Sequence, residues 1–232
     1  MTSPHEAAPD TAAGAPVDDA VPAGANVLLV RHGQSTWNAL GKWQGQANPA
    51  LSPLGLEQAA LAGERLRAWG IADAVVSSDL ERARRTAQVL AVASGAPLLD
   101  PEPALRERRA GAWEGCTRAE IHREYPGWID DGRRPEGWEP DHALVGRAVP
   151  ALQRLVDAHE GQLIVGVSHG GLVHALERGR SAADPSSSEG AFRRVANLEA
   201  VWFCVDGSGV FAVGERVHLL PPETGETFGP EA

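Results

Sequence analysis

Two short stretches of the sequence place a histidine directly after an apolar run. Residues 26–33 read NVLLVRHG, and residues 164–171 read IVGVSHGG. A neutral imidazole nitrogen such as that of His32 is a competent nucleophile, and the guanidinium of Arg31 beside it attracts and neutralises an anionic electrophile. The simplest such electrophile is a phosphoryl group. The pattern therefore predicts phosphoryl chemistry, with His169 as a second participant.

Each apolar run has the length and composition of a β-strand. In an open α/β sheet, ligands bind in the crevice outside the carboxyl ends of the strands. We therefore expect His32 and His169 to share one crevice. Because glycine lacks a Cβ atom, we also expect Gly33 to let a ligand approach the backbone closely.

Composition excludes several classes of function. The chain has 232 residues, 43% of them hydrophobic, which suits one large domain or two small ones. A formal net charge of −10 argues against a nucleic-acid-binding surface. Cys116 and Cys204 are too few for a disulfide framework, and no spacing resembles a set of metal ligands. We therefore expect no nucleic-acid partner, no metal and no cofactor, and a reducing, cytoplasmic location.

The two ends of the chain differ from the middle. Residues 1–25 are rich in Ala, Pro, Gly and Asp, with neither the basic nor the apolar region of a signal peptide. They are predicted to be a disordered tail. Residues 26–220 are predicted to be one domain, and residues 221–232 a flexible tail. No apolar run approaches the length of a membrane span, so no membrane partner is expected.

The middle of the chain alternates between strand and helix patterns. Predicted strands cover residues 27–31, 74–77, 97–99, 162–167, 200–205 and 210–216; predicted helices follow Ser52 up to Gly70 and cover residues 80–93, 118–124, 141–160 and a short stretch from Gly170. Pro150 is expected to kink or split its helix. Residues 179–196 are predicted to be a Ser- and Gly-rich loop. The alternation predicts an α/β fold, a three-layer α/β/α sandwich with a mainly parallel central sheet, and a terminal hairpin at or near its edge.

Several further motifs occur in a fixed order along the chain. They are RHGQSTWN at 31–38, QG at 44–45, LSPLG at 51–55, SSDLERA at 77–83, LRE at 105–107, GAWEG at 111–115 and SHGG at 168–171. Together they resemble the histidine phosphatase superfamily, which has the phosphoglycerate-mutase-like fold. The resemblance covers roughly residues 27–218.

The resemblance implies a role for each of five residues. His32 attacks phosphorus and becomes a phosphohistidine. Arg31 and Arg82 bind the phosphoryl oxygens, because a guanidinium matches them bidentately and keeps its charge. His169 donates to the same oxygens. Glu107 protonates the leaving alkoxide and later acts as the base towards water.

Other assignments are broader. Asp79 and Glu114 are alternatives to Glu107 as the acid. The substrate-binding residues are predicted to be Gln34, Thr36, Asn38, Gln44, Gly45 and Gly170. The partner is a small-molecule phosphomonoester, and a homodimer is left open.

The resemblance leaves three functions open. The sequence favours a phosphatase, because the segment around Glu107 has the phosphatase form and there is little room for a mutase lid. A phosphoglycerate mutase-type enzyme is the alternative, since Arg133 and Arg134 could bind a second phosphate, although a solvated turn explains them equally well. A non-catalytic phosphate-binding protein is the third, but it would normally have lost His32, His169 or Glu107.

Tryptophan and loop composition bear on the substrate. Trp69 and Trp202 are predicted to be core residues. Trp113, Trp128 and Trp138 either form a wall of the leaving-group pocket or simply pack within their loops. Residues 137–139 read GWE where many relatives have GGE, which leaves the substrate undetermined.

Overall fold

A computed structural model describes residues 21–181 and 194–221 of the chain. Its strands are β1 Val27–Arg31, β2 Ala74–Ser77, β3 Ile164–Ser168, β4 Glu199–Asp206 and β5 Gly209–His218. Its α-helices are α1 Thr36–Ala39, α2 Pro53–Trp69, α3 Glu81–Ser94, α4 Arg118–Glu124, α5 Asp141–Ala158 and α6 Gly170–Ser181.

The described strands form one five-stranded sheet in the order β2-β3-β1-β4-β5. β1 and β2 each pair in parallel with β3, whereas β4 pairs antiparallel with both β1 and β5. The parallel core and the antiparallel hairpin at the edge are therefore confirmed.

Alternate residues of β1 enter different hydrophobic cores, because side chains on a strand point to opposite faces. Val27 and Leu29 belong to a core shared with α5 and α6. Leu28 and Val30 belong to a second core, shared with α2 and α3. Helices thus cover both faces of the sheet, which confirms the three-layer α/β/α sandwich.

Local sequence signals set the ends of α2. The Ser52 side chain accepts a hydrogen bond from the Gly55 backbone, and Pro53 occupies the first turn, where its missing N–H costs nothing. Gly70 closes the helix with a φ of 66°, the left-handed conformation that favours glycine. The predicted bounds of this helix are confirmed.

Two predicted features differ in the structure. Pro150 does not split its helix: α5 is continuous, because its apolar face is buried on both sides of the proline, through Leu144 and Leu152. Residues 97–99 form only an isolated bridge, between Leu98 and Val75. Leu98 is half-exposed, so little burial favours a longer strand there.

The predicted tails and loop lie largely outside the described residues. Within the predicted N-terminal tail, Val21 and Ala25 pack against the second core. The predicted loop at 179–196 begins later than expected, since α6 extends to Ser181. No helix in the described ranges is long and apolar enough to cross a membrane.

Candidate active site

The sheet brings the two predicted histidines together. β1 and β3 are neighbours, with Arg31 opposite Ser168 in the register. The residues that follow these two, His32 and His169, therefore leave the sheet side by side. Both are buried, and their ring centroids are 5.2 Å apart. The two histidines are therefore neighbours at one edge of the sheet, as expected.

The hydrogen bonds of His32 define which nitrogen can attack. Nδ1 lies 2.7 Å from the Gly33 carbonyl oxygen, which only accepts, so Nδ1 carries the proton. Nε2 then bears the lone pair and accepts a hydrogen bond from Arg82 Nε at 3.2 Å. Burial, followed by the charges of Arg82 and Arg31, holds the pKa of His32 well below its usual range. The imidazole is therefore neutral and nucleophilic at neutral pH.

The two predicted phosphoryl-binding arginines are held by backbone carbonyls. Arg82 is buried, and its Nη1 and Nη2 donate to Ala47 O at 2.8 Å and Gly45 O at 2.9 Å. Arg31 Nη1 donates to Val195 O at 2.8 Å. These bonds fix the orientation of both guanidinium groups without neutralising their charge.

Ser78 orients His169, a role that the sequence did not reveal. Ser78 Oγ accepts a hydrogen bond from Leu80 N at 3.3 Å and lies 2.7 Å from His169 Nε2. Ser78 therefore occupies Nε2 of the imidazole and leaves Nδ1 as the nitrogen available to a substrate. Nδ1 is buried and has no hydrogen-bond partner in the part of the chain that the structure describes. With the proton on Nδ1, the imidazole would donate to a phosphoryl oxygen.

Geometry separates the three candidate acids. Glu107 lines the cavity beside His32, with its Oε1 and Oε2 each 2.8 Å from a backbone N–H, of Arg108 and Gly171. Asp79 instead forms a bidentate pair with Arg106, at 2.6 and 2.5 Å.

The hydrogen bond from Arg106 is the main cause that lowers the pKa of Asp79, which therefore stays ionised. Glu114 accepts backbone hydrogen bonds from Gln46 and Ala110 and does not line the cavity. Glu107 is thus the one of the three placed to act as the acid.

A cavity of about 320 Å³ opens over His32. The predicted site residues that line it are Arg31, His32, Gln44, Gly45, Arg82, Glu107 and Gly170. Ser35 Oγ donates to Gln44 Oε1 at 2.8 Å, which fixes the orientation of that amide. His169 is not part of the lining but touches it through the His32 ring.

Three predicted substrate-binding residues do not line the cavity. Gln34 Oε1 accepts from Ser52 Oγ at 2.8 Å, and Thr36 is exposed at the start of α1, so the contacts of both with substrate stay predictions. Asn38 is buried in a capping box with Ser35. Its Nδ2 has no partner among the described residues, so its contact with substrate stays a prediction.

The expectation for Gly33 is wrong. A Cβ atom at this position would lie 2.6 Å from the Gly55 carbonyl oxygen, so the group that approaches closely is the start of α2. Gly33 N also donates to Thr86 Oγ1 at 3.1 Å. The glycine therefore allows backbone packing beneath the site, not approach by a ligand.

Several residues of the cavity wall were not predicted. They are Trp43, Arg108, Ala110, Asp141, Gly171, His174, Arg178, Arg194 and Val195. Of the tryptophans proposed for the wall, Trp138 lines the cavity, whereas Trp113 is fully buried beside it and Trp128 packs on Tyr125. Gly171, His174 and Arg178 share one face of α6, and Asp141 begins α5. The other unpredicted residues lie outside the helices and strands, and no sequence spacing marks them.

The residues matched by a family model coincide with this fold and site. The model of the histidine phosphatase superfamily (branch 1) matches residues 27–210. The chain belongs to this family.

Proteins similar to this chain include two phosphatases of small phosphorylated metabolites. A metal-independent phosphoserine phosphatase of Arabidopsis thaliana is 35% identical over 157 residues, which cover 65% of the chain and 66% of the relative, just under two thirds. A structure of mycobacterial glucosyl-3-phosphoglycerate phosphatase with VO3 has a TM-score of 0.67 and 30% identity, and the match covers 76% and 90% of the two chains. These relatives support a phosphoric monoester hydrolase that works through a phosphohistidine intermediate.

A mutase name also occurs among the relatives. A probable phosphoglycerate mutase of Serratia proteamaculans is 38% identical over 218 residues, which cover 86% of the chain and 97% of the relative. Sequence identity at this level does not separate phosphatases from mutases within this family. The two activities differ in what holds the leaving group, which is the part of the cavity lined by Arg108, Arg134 and Trp138.

Proposed function

We propose that this histidine phosphatase hydrolyses a small phosphomonoester that carries a second anionic group. The observation that supports it most directly is the setting of His32. Its Nε2 lone pair faces Arg82 at 3.2 Å, and the His169 ring lies beside it. Arg31, Arg82 and His169 thus lie around the nucleophile as candidate donors to the phosphoryl oxygens.

In the first step, His32 Nε2 forms a bond to phosphorus as the bond from phosphorus to the ester oxygen breaks. Arg31, Arg82 and His169 Nδ1 offset the charge on the phosphoryl oxygens. Protonated Glu107 gives its proton to the departing alkoxide, which leaves as an alcohol. The Gly33 carbonyl accepts from Nδ1 throughout and stabilises the charge that the ring acquires.

In the second step, the Glu107 carboxylate takes a proton from water, and the water oxygen bonds to phosphorus. The bond from phosphorus to His32 breaks, and the electron pair returns to Nε2. Inorganic phosphate leaves, and Glu107 is again protonated for the next cycle. No oxidant, metal or second substrate is needed to balance either step.

The substrate class follows from two arginines on the cavity wall. The guanidinium groups of Arg108 and Arg134 each lie 5.2 Å from the ring centre of Trp138. Arg108 is paired with Asp141 at 2.7 Å, whereas Arg134 has no salt bridge to a described carboxylate. Burial, and then the charge of Arg108, lower the pKa of Arg134. A carboxylate of the substrate between the two cations would relieve this repulsion.

The names of the relatives agree with this class. Phosphoserine and glucosyl-3-phosphoglycerate, named for two of them, both carry a carboxylate besides the phosphate. Trp138 stands in the GWE segment, so it and Arg134 are features of this chain that set its leaving-group pocket.

Mutase-type transfer is a second candidate, and the same cations favour it. Arg108 and Arg134 could hold a second phosphate as well as a carboxylate. Arg133, the other half of the predicted clamp, instead pairs with Asp131 at 2.9 Å and lies over Trp128. Because only one arginine of the pair lines the cavity, hydrolysis is the reading we favour.

We also propose that the enzyme acts without a metal, in the cytoplasm. One relative is named metal-independent. Three cationic or donor groups already surround His32, so they supply the charge that a metal would otherwise provide. Cys116 and Cys204 are free thiols, in keeping with a reducing compartment.

A matched pair of substrates tests the proposed function. We expect release of inorganic phosphate from 3-phosphoglycerate in the presence of EDTA, with weaker activity on glycerol 3-phosphate, which lacks the carboxylate. Arg134→Met should lower kcat/KM for 3-phosphoglycerate by about 10-fold or more, the worth of one charged hydrogen bond, and leave glycerol 3-phosphate unchanged. Arg133→Met, next in sequence but outside the cavity, is the control.

Three outcomes would contradict the proposal. Conversion of 3-phosphoglycerate to its 2-isomer with bisphosphoglycerate, faster than release of phosphate, would establish the mutase. Equal losses on both esters in Arg134→Met would remove the second-anion subsite. Complete loss of activity in EDTA, restored by Mg²⁺, would refute metal independence.

A further inference from the structure

The loop that carries Glu107 is held by an arginine from a different element. Arg147, on α5, donates from Nη2 to the backbone carbonyls of Arg106 at 2.8 Å and Glu107 at 3.0 Å. Its Nη1 donates to the carbonyl of Ala104. One guanidinium thus binds three carbonyls within four residues, ending at the proposed acid itself.

Glu139 holds this guanidinium in place. Its Oε1 lies 2.9 Å from Arg147 Nε, and its Oε2 lies 3.2 Å from Nη2. The Glu139 side chain is only 4% exposed. Burial acts to raise the pKa of Glu139, but the hydrogen bond and charge of Arg147 outweigh it, and the carboxylate stays ionised. The Arg147 side chain is 24% exposed, so the pair is partly buried, and breaking it would leave the buried Glu139 charge uncompensated.

Glu139 also fixes the far side of the loop. Its Oε2 accepts from Arg109 N at 3.1 Å, and its own N–H donates to Arg109 O at 3.0 Å. The Glu107 carbonyl accepts a further bond from Gln46 Nε2 at 3.0 Å. The backbone is therefore held immediately before, at and after Glu107.

Neither Arg147 nor Glu139 lines the cavity over His32. Any effect of these two on the reaction must therefore act through the loop. Two other bonds tie this loop to the end of β3 and the start of α6: Ser168 Oγ donates to Leu105 O, and Gly171 N donates to the Glu107 carboxylate, each at 2.8 Å. Neither reaches the backbone carbonyls of residues 106 and 107, which Arg147 holds.

We propose that Arg147 and Glu139 form a positioning clamp that holds Glu107 at the leaving oxygen. This inference rests on the proposed function, in which Glu107 is the general acid. The clamp supports protonation of the leaving group and does not contribute to attack by His32. Weakening it should therefore resemble partial loss of the acid, with a dependence on the leaving group that a general loss of structure lacks.

Arg147→Lys is the sharpest test, because it keeps the positive charge beside Glu139 but one ammonium cannot serve three carbonyls and a carboxylate at once. We expect the single-turnover phosphorylation rate with an alkyl phosphate to fall by about 10²-fold, the loss typical of a small misplacement of a catalytic group. Phosphorylation by p-nitrophenyl phosphate, whose phenolate leaves unaided, should change little. Arg154→Lys, on the same helix and exposed, is the matched control.

A double variant separates positioning from other effects. In a Glu107→Gln background, Arg147→Lys should cause little additional loss on the alkyl phosphate, because the group that it positions is already gone. Glu139→Gln, which keeps the shape of the side chain, should reproduce the leaving-group dependence if Arg147→Lys fails to fold. Thermal unfolding of each variant identifies loss of fold.

Equal losses on both esters, or additive losses in the double variant, would overturn the inference. The proposed function fails in a different way. If Glu107→Gln lowers the phosphorylation rate equally with the alkyl phosphate and with p-nitrophenyl phosphate, Glu107 is not the acid. If that difference is present and Arg147→Lys does not share it, only the clamp is wrong.

Discussion

Substitution of Glu107 by glutamine removes the proton that the mechanism needs while keeping the size of the side chain. A basic alkoxide requires a proton as its bond to phosphorus breaks, whereas p-nitrophenolate leaves without one. The loss in Glu107→Gln should therefore depend on the leaving group. We expect the phosphorylation rate with an alkyl phosphate to fall by about 10²–10⁴-fold, the range typical of general acid catalysis.

Besides the lost proton transfer, Glu107→Gln disturbs the hydrogen bonds of the side chain, and the two effects must be separated. Both Glu107 oxygens accept a backbone N–H, from Arg108 and Gly171, each at 2.8 Å. A glutamine must turn its amide NH2 towards one of these donors, which costs about 1–3 kcal/mol for the unsatisfied group. This cost is common to both substrates, so the ratio of the two losses reports proton transfer alone.

The assay is rapid-quench measurement of the burst phase with each ester. It separates phosphorylation of His32 from hydrolysis of the phosphoenzyme, which Glu107 also assists and which therefore slows with either substrate. Equal losses in the burst rate for the alkyl and aryl esters would refute the assignment of Glu107 as the acid.

Three further predictions follow from the geometry. A Cβ atom at Gly171 would clash with Glu107 Oε1, so Gly171→Ala should lower kcat on an alkyl phosphate by about 10²-fold. Gly179→Ala, on the same helix with open space around it, should leave kcat unchanged, and equal kinetics of the two variants would contradict the prediction. Because the pKa of His32 is held well below 6.5, label incorporation in a single turnover should stay level as pH falls through 6.5; a loss centred there would show an ordinary histidine. Burial acts to raise the pKa of Glu177, but the bidentate pair with Arg216, at 2.9 and 2.6 Å, and His174, whose Nδ1 lies 3.8 Å away, outweigh it and lower the pKa to about 2. Its stabilising effect is present above the usual value of 4.5 and is lost as pH falls towards 2, so the fall in unfolding free energy measured by urea titration should be shallower in Glu177→Gln, and an unchanged slope would refute this.

Most of the fold could be predicted from local sequence. The bounds of β1, β2 and α4 were predicted to the residue, because short apolar runs and a capping residue such as Thr117 act within a few residues. Pro150 was predicted to kink or split its helix; α5 is not split, because its buried face on both sides outweighs the lost backbone hydrogen bond, and the kink stays a prediction. Leu98 shows the opposite case, in which a strand pattern with little burial forms only one bridge.

The site was predictable where its residues adjoin strand ends and not where loops converge. His32 and His169 follow neighbouring strands, so the register alone puts them together. Arg108 and Arg134 meet over Trp138 only after residues from separate loops have packed. Gly33 was misread, because a missing Cβ shows that something comes close without showing what it is.

Trapping of the phosphoenzyme tests the central claim most directly. Enzyme mixed with a ³²P-labelled phosphomonoester and denatured within milliseconds should carry label that is lost in acid and stable in alkali, as phosphohistidine is. His32→Ala should carry none, whereas His122→Ala, at a histidine outside the cavity, should label like the wild type. Label of the same kind and amount on His32→Ala would contradict the account, because another residue would then be the nucleophile.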